Sequence, residues 1–269
     1  MNRTSIHIRL TSTVNAVIEK ALRMRLPIFQ TFALTENGHV IRPTKSAIDE
    51  YLALRRSHFK NLYLHGSYWI NLAREQQRSY KTFLRELNLA KTLEFTHFVL
   101  HPGAAENKIK KEQGLLTLVK NLNRVLSENL DLTILLENTA HGGRSLGSNL
   151  ADFTFILNEI QFPEKIGFCL DTSHAYAYGY DLRNSAEFIK TLQTHIPLEK
   201  IALIHLNDTN EKLGAKIDRH AIPGEGNIGT NALKNLIQHP QLVHAPIIME
   251  LPKYTEAEEL EIIHKIANW

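Results

Sequence analysis

Short apolar runs rich in β-branched residues alternate with longer stretches of helical period along the whole chain. Runs at positions 6–10, 28–34, 61–65, 96–101, 132–137, 166–171, 200–205 and 246–250 read as strands. The segments that follow, at 13–25, 45–58, 75–93, 108–128, 150–159, 183–195, 230–238 and 256–267, space their apolar residues by three and four and read as helices. Strand then helix, repeated without a linker or a low-complexity stretch, predicts a parallel sheet wrapped by helices. Eight such units predict one α/β domain over residues 1–269, a (β/α)8 TIM barrel.

Barrels of this kind place their chemistry at the C-terminal mouth, so a polar residue ending a strand has more functional weight than one elsewhere. Six consecutive strands end in a residue able to ligate a metal: His65, His101, Glu137, Asp171, His205 and Glu250. Singly, each reads as well as a solvated or hydrogen-bonded strand end. Together they converge on one mouth. Asp171 shares a strand face with Cys169, reads equally as a cap for the next helix or a metal ligand, and is followed, past a turn at Thr172 and Ser173, by His174. Asp218 and His220 stand two apart in a loop, where a solvated turn is an equal reading.

Gathering these carboxylates and imidazoles without a cation is costly, because like charges in a partly dry cleft oppose one another's ionisation. Divalent metal resolves the conflict. Nitrogen and oxygen donors without thiolate suit zinc or manganese better than calcium, and the donors outnumber what one tetrahedral zinc uses. Several metals with open positions suit hydrolytic phosphoryl chemistry.

Composition adds limits. The formal charge of +3 permits a polyanionic partner without requiring one. Cys169, the single cysteine, lies in an apolar run, so it reads as a core thiol in a reducing compartment. No apolar run approaches the ~20 residues that span a bilayer, and the first residues lack an apolar leader core. A cytoplasmic protein with no membrane association and no obligate protein partner is expected.

The ordered words His65-Gly66-Ser67-Tyr68-Trp69-Ile70-Asn71-Leu72, His101-Pro102-Gly103, Glu137-Asn138-Thr139-Ala140, Asp171-Thr172-Ser173-His174-Ala175, His205-Leu206-Asn207-Asp208, Asp218-Arg219-His220 and Gly224-Glu225-Gly226-Asn227-Ile228-Gly229, followed by Glu250, resemble endonuclease IV. These are trinuclear zinc endonucleases of base excision repair, with a xylose-isomerase-like barrel, and the resemblance runs from His65 to the last strand. It implies one zinc on His65, His101 and Glu137, and a second on Glu137, Asp171, His205 and Glu250. It places a third on His174, Asp218 and His220, with one position open to Mn2+. It further implies hydrolysis of DNA 5′ to abasic sites, leaving a 3′-hydroxyl and a 5′-deoxyribose phosphate, with Glu137 bridging the metals that activate water. Blocked 3′ ends are a further expected substrate.

Tyr68 matches a family tyrosine that packs against distorted DNA, and Arg144, Arg219 and Lys253 sit in loops suited to phosphate contact. Asn138, Asn207 and Asp208 are expected to orient ligating imidazoles. The first quarter departs from the family. The word after strand one lacks its glycine pair, with Ile8, Arg9 and Leu10 following His7, and Glu36-Asn37-Gly38-His39 replaces the family's Asn-Gln-Arg loop. The alternatives are a sugar isomerase or epimerase on the same barrel, which normally uses one or two metals, and a non-catalytic lesion binder.

Overall fold

A computed structural model describes residues 3–35, 40–107, 110–128 and 131–269. Its strands are β1 (Thr4–Ile6), β2 (Gln30–Phe32), β3 (Tyr63–His65), β4 (His97–Leu100), β5 (Thr133–Glu137), β6 (Ile166–Asp171), β7 (Ile201–His205) and β8 (Ile247–Met249). All pairings are parallel, in the order β1-β8-β7-β6-β5-β4-β3-β2. The remaining seam, between β1 and β2, is closed by a parallel bridge from His7 to Gln30, where the Ile8 amide donates to the Gln30 carbonyl at 2.8 Å. The expected TIM barrel is therefore the observed fold.

The helices are α1 (Val14–Arg23), α2 (Lys45–His58), α3 (Gln77–Thr92), α4 (Lys111–Leu126), α5 (Ala151–Glu159), α6 (Thr172–Tyr178), α7 (Ser185–Gln193), α8 (Thr230–Ile237) and α9 (Glu256–Ala267). Their starts follow from local chemistry. Thr13, Thr44 and Asn184 each accept a bond from a first-turn amide, and Thr255 with Glu258 forms a reciprocal capping pair. Helix α1 buries Val14, Val17, Ile18 and Ala21, the three- and four-residue spacing of one face.

Period-two alternation sorts the strand side chains into two layers. Ile134, Leu136, Phe168, Leu170 and Ile204 face outward into the large core shared with the helices. Ile28, Tyr63, Val99, Leu135, Cys169, Leu203 and Ile248 form a separate buried cluster inside the barrel. Burial pushes the Cys169 thiol up to about 12, so it stays protonated in this floor, as a core cysteine should.

Some boundaries differ from those expected. Strand β1 begins and ends earlier, at Thr4–Ile6, because its pairing with β8 runs from Ile247 to Met249, after which His7 bridges to Gln30. Helix α4 begins at Lys111; positions 108–109, and the departing loop residues Glu36, Asn37, Gly38 and His39, lie outside the described residues. The expected turn after Asp171 is instead a helix, α6, because the Asp171 carboxylate caps it by accepting from the His174 amide at 2.7 Å.

The loop from β3 to α3 is pinned from below. Glu86 of α3 is fully buried and accepts from both the amide and the hydroxyl of Ser67, at 2.9 and 2.7 Å. Burial raises the Glu86 carboxyl, and the two Ser67 donors oppose that rise. Glu86→Ala would leave both donors buried without an acceptor, and is expected to destabilise the fold by about 2 kcal/mol or more. Urea denaturation checks this; a shift below ~0.5 kcal/mol would show that the tie is dispensable.

Candidate metal centre

Two positions beyond each interior floor residue, the same strand face presents a polar group. Tyr63 is followed by His65, Val99 by His101, Leu135 by Glu137, Cys169 by Asp171, Leu203 by His205 and Ile248 by Glu250. The expected strand-end residues thus share one layer. Its centre is Glu137, completely buried. His65 Nε2 and His101 Nε2 approach Glu137 Oε2 at 3.0 and 3.1 Å, while His205 Nδ1 and His174 Nδ1 approach Oε1 at 3.1 and 3.3 Å.

A second group adjoins the first. His205 Nδ1 lies 3.8 Å from Glu250 Oε2 and 3.9 Å from Asp171 Oδ2. A third trio lies toward the rim, where His174 Nε2, His220 Nε2 and Asp218 Oδ1 are 3.0 to 3.3 Å apart. All nine expected residues therefore converge. His65, His101 and Glu137 bring their ligand atoms close enough to share an ion, as do His65, His205 and Glu250, and Asp171, His174 and His220, with Asp218 beside the last group; such imidazole and carboxylate donors fit divalent cations of the zinc type.

The supporting groups differ from those expected. Asn138 holds Asp171 rather than an imidazole side to side: its amide bonds the Asp171 carbonyl and N–H, at 2.9 and 2.8 Å, and only its backbone carbonyl meets His174 Nδ1, at 2.9 Å. Asn207 donates to Asp171 Oδ2 at 2.7 Å and accepts from the Glu250 amide at 3.0 Å, so it positions carboxylates. Asp208 touches none of the ligating rings. It is buried and accepts from the amides of Thr209, Gly224, Ile228 and Gly229 at 2.8 to 3.1 Å, gathering the loop that carries Asp218 and His220. Gly226 passes so close that a Cβ there would stand 2.4 Å from Asp208 Oδ1, which explains one glycine of that loop.

A family model described as a xylose isomerase-like TIM barrel matches residues 29–269. A probable endonuclease 4 of Chloroflexus aggregans is 32% identical over 272 residues, covering 96% of this chain and 94% of the relative. The chain belongs to the endonuclease IV family. A second probable endonuclease 4, from Halothermothrix orenii, is 30% identical and covers 97% of this chain and 98% of its own. The crystal structure of endonuclease IV from Thermus thermophilus superposes with a TM-score of 0.85 at 27% identity, over 98% of both chains.

Within this member of the family, two mouth residues escaped the motif reading. Gln30 is fully buried and continues the ring from Ile28. Its Nε2 donates to Glu250 Oε1 at 3.1 Å and to His7 Nδ1 at 2.9 Å, and its Oε1 faces His205 Nε2 at 2.9 Å. A carboxylate can only accept, so the amide orientation is fixed, and His205 must hold its proton at Nε2 and present Nδ1 to the cluster. His7, in van der Waals range of Phe32, is kept neutral, its pKa lowered to about 3 by burial and by His65 and His205. A polar amide at an inward position of the run from Ile28 to Leu34 was the available signal.

The four residues expected at DNA lie at the rim. Tyr68 is 73% exposed, with its ring 5.8 Å from that of His101. Arg144 bonds the Glu106 carbonyl at 2.6 Å, Arg219 is paired with Glu211 at 2.9 Å, and Lys253 is exposed after β8. Among the described residues, no helix is long and apolar enough to cross a membrane.

Electrostatics of the cluster without metal are those of interleaved imidazolium and carboxylate. Burial works against ionisation of Glu137, yet His205 and His101 outweigh it and hold the carboxyl well below its usual range. Burial likewise opposes, and His205 and His220 overcome, the ionisation of Glu250, whose pKa falls to about 2. For His174 and His205 burial disfavours the cation, but Asp171 and Asp218 around the first, and Cys169, Glu250 and Glu137 around the second, raise them well above the ordinary value. His65 and His220 are raised in the same way, against burial, by Glu137 and by Asp171 with Asp218.

Raised histidines stabilise fully below about pH 6.5 and lose that contribution as pH rises through their folded values; the lowered carboxylates contribute above about pH 4.3 and lose it as pH falls. Chelator-treated protein is therefore expected to be most heat-stable between those limits and to weaken toward pH 8. Zinc requires deprotonated imidazole, so the gap in thermal midpoint between zinc-loaded and stripped protein should widen from pH 6 to 8. A constant gap would show that these histidines do not meet the metal. Gln30→Ala is expected to lower zinc affinity about 10- to 100-fold, read by competition with a chromogenic chelator, and wild-type affinity would remove Gln30 from the metal centre.

Proposed function

We propose that this chain is a zinc-dependent DNA repair endonuclease that hydrolyses the phosphodiester 5′ to abasic sites, leaving a 3′-hydroxyl and a 5′-deoxyribose phosphate, and that it also trims blocked 3′ ends. The observation that supports this most is the placement of the buried Glu137 carboxylate between four imidazoles, with the trio of His174, Asp218 and His220 beside it. One barrel-sized domain would hold three zinc ions. His65, His101 and Glu137 would take one, Glu137, Asp171, His205 and Glu250 the second, and His174, Asp218 and His220 the third, with one position tolerating Mn2+. Bound there, the metals would supply a water of lowered pKa and positive charge for the phosphate oxygens.

The chain's own groups would do the rest. Gln30 keeps the proton of His205 on the side away from the cluster, and Asn207 holds two carboxylates so that their oxygens face inward. The apolar floor beneath, from Ile28 to Ile248, excludes water from below. Tyr68, over His101 at the rim, would pack on the distorted strand, while Arg144, Arg219 and Lys253 would meet phosphates. The lost glycine pair after His7 and the altered loop at 35–43 weaken penetration of a duplex, which favours lesions that leave the stack easily.

An isomerase of the same barrel would leave the third trio without a use. Incision of an end-labelled duplex bearing one abasic site, beside an undamaged duplex, tests the repair reading. Cleavage 5′ to the lesion is expected, abolished by chelation and reduced at least about 100-fold in Glu137→Ala. Binding without cleavage by folded, metal-loaded protein would favour a lesion binder, and an unchanged rate in Glu137→Ala would sink the mechanism.

A further inference from the structure

Two consecutive aromatic residues at the rim open onto different cavities. Tyr68 borders the pocket that holds His101 and Asp218, whereas Trp69 borders a groove of about 1130 Å³ lined also by Leu34, Val40 and residues of helix α3. Trp69 is 74% exposed. One exposed indole alone would need no explanation. Its surroundings give it one.

Leu34, Val40 and Trp69 supply the apolar part of this groove's lining, and α3 supplies three cations, Arg78, Lys81 and Arg85, among uncharged polar residues. The three cations stand at three- and four-residue spacing, so they share one face of α3, and all are exposed. None of their side chains pairs with an acidic group among the described residues, whereas Arg56, Lys120, Arg183 and Arg219 each hold a carboxylate. They spread over about 10 Å of helix, enough to meet two to three successive phosphates of one strand.

We propose that this groove binds an unpaired segment of nucleic acid, one base stacked on Trp69 and its phosphates on Arg78, Lys81 and Arg85. The proposal extends the nucleic-acid reading of the metal centre. A groove lined by both apolar residues and cations matches a single strand, whose bases offer π-faces while its backbone carries the charge. A duplex hides those faces within its stack, so the apolar part of the lining would gain nothing from it. Because Tyr68 and Trp69 are adjacent, a strand splayed at the metal centre would pass from the first ring onto the second.

The test titrates full-length, metal-loaded protein with an undamaged oligothymidylate of about 12 nucleotides, within the site sizes of single-strand binders. Binding is read by anisotropy of the labelled strand and by tryptophan fluorescence in a Trp269→Phe background. Quenching of Trp69 is expected, with affinity about ten-fold lower in Trp69→Ala. Replacing Arg78, Lys81 and Arg85 together by Gln, which keeps the helix, should flatten the log–log salt dependence by about 2. Unquenched Trp69, an unchanged salt slope in the folded triple variant, or equal competition by a hairpin duplex would each overturn the proposal. Abasic incision by the wild type is scored separately, so the groove and the repair reading fail or stand independently.

Discussion

Glu137 is buried completely, and a buried carboxylate persists only where charge and hydrogen bonds replace the water it has lost. Four imidazoles converge on its two oxygens, and every other group at the mouth is arranged around that fact. Removing one imidazole leaves its partner's charge less compensated; removing Glu137 leaves several buried cations facing one another. The cluster is therefore a unit, and without metal it is held by its own protons.

Barrel register makes the convergence possible. Parallel pairing sets Asp171 level with His205 and Glu137 level with Cys169, two residues before Asp171, so the last inward side chains of neighbouring strands stand level or one inward step apart and gather at one mouth. One residue of slip on any strand would turn its ligand outward into the helical layer and bring an apolar residue to the mouth. The apolar floor, packed from Ile28 round to Ile248, resists such slips, and stability and chemistry depend on the same alternation.

This explains how much could be seen beforehand. From β3 to β8 each apolar run leads to a histidine or carboxylate at the strand's last residue or, for His101 and Glu250, one residue beyond it, and period two alone brings those six residues together. Asp171 and His174 were legible as a pair, and so was Asp171 as a helix cap, but the helix it caps was expected only from 183 on; that one begins directly at Thr172 follows from the His174 amide reaching the Asp171 carboxylate. Asp218 and His220 were legible as residue types and not as positions, because Asp208 gathers their loop through four backbone amides that no side-chain pattern announces. Gln30 and His7 were missed for a further reason: each gains meaning only across the β1–β2 seam, a contact between strands whose spacing along the chain says nothing about their final junction.

That seam bears on the departures in the first quarter of the chain. Where the family word after strand one has small residues, this chain has Ile8, Arg9 and Leu10, and the aliphatic pair is buried. Arg9 bonds the Leu251 carbonyl at 2.8 Å, drawing the end of β1 toward the end of β8. Gln30 then bonds Glu250, the residue before Leu251, so β1, β2 and β8 are tied at the mouth by side chains as well as by the sheet. The change in this quarter therefore reinforces the wall behind the mouth cluster and, on the repair reading, alters the surface offered to a duplex. On the repair reading, a chain modified in that way would keep its nine mouth residues in place and shift the burden of engaging the nucleic acid toward the neighbouring rim, where Tyr68, Trp69 and the cationic face of α3 stand.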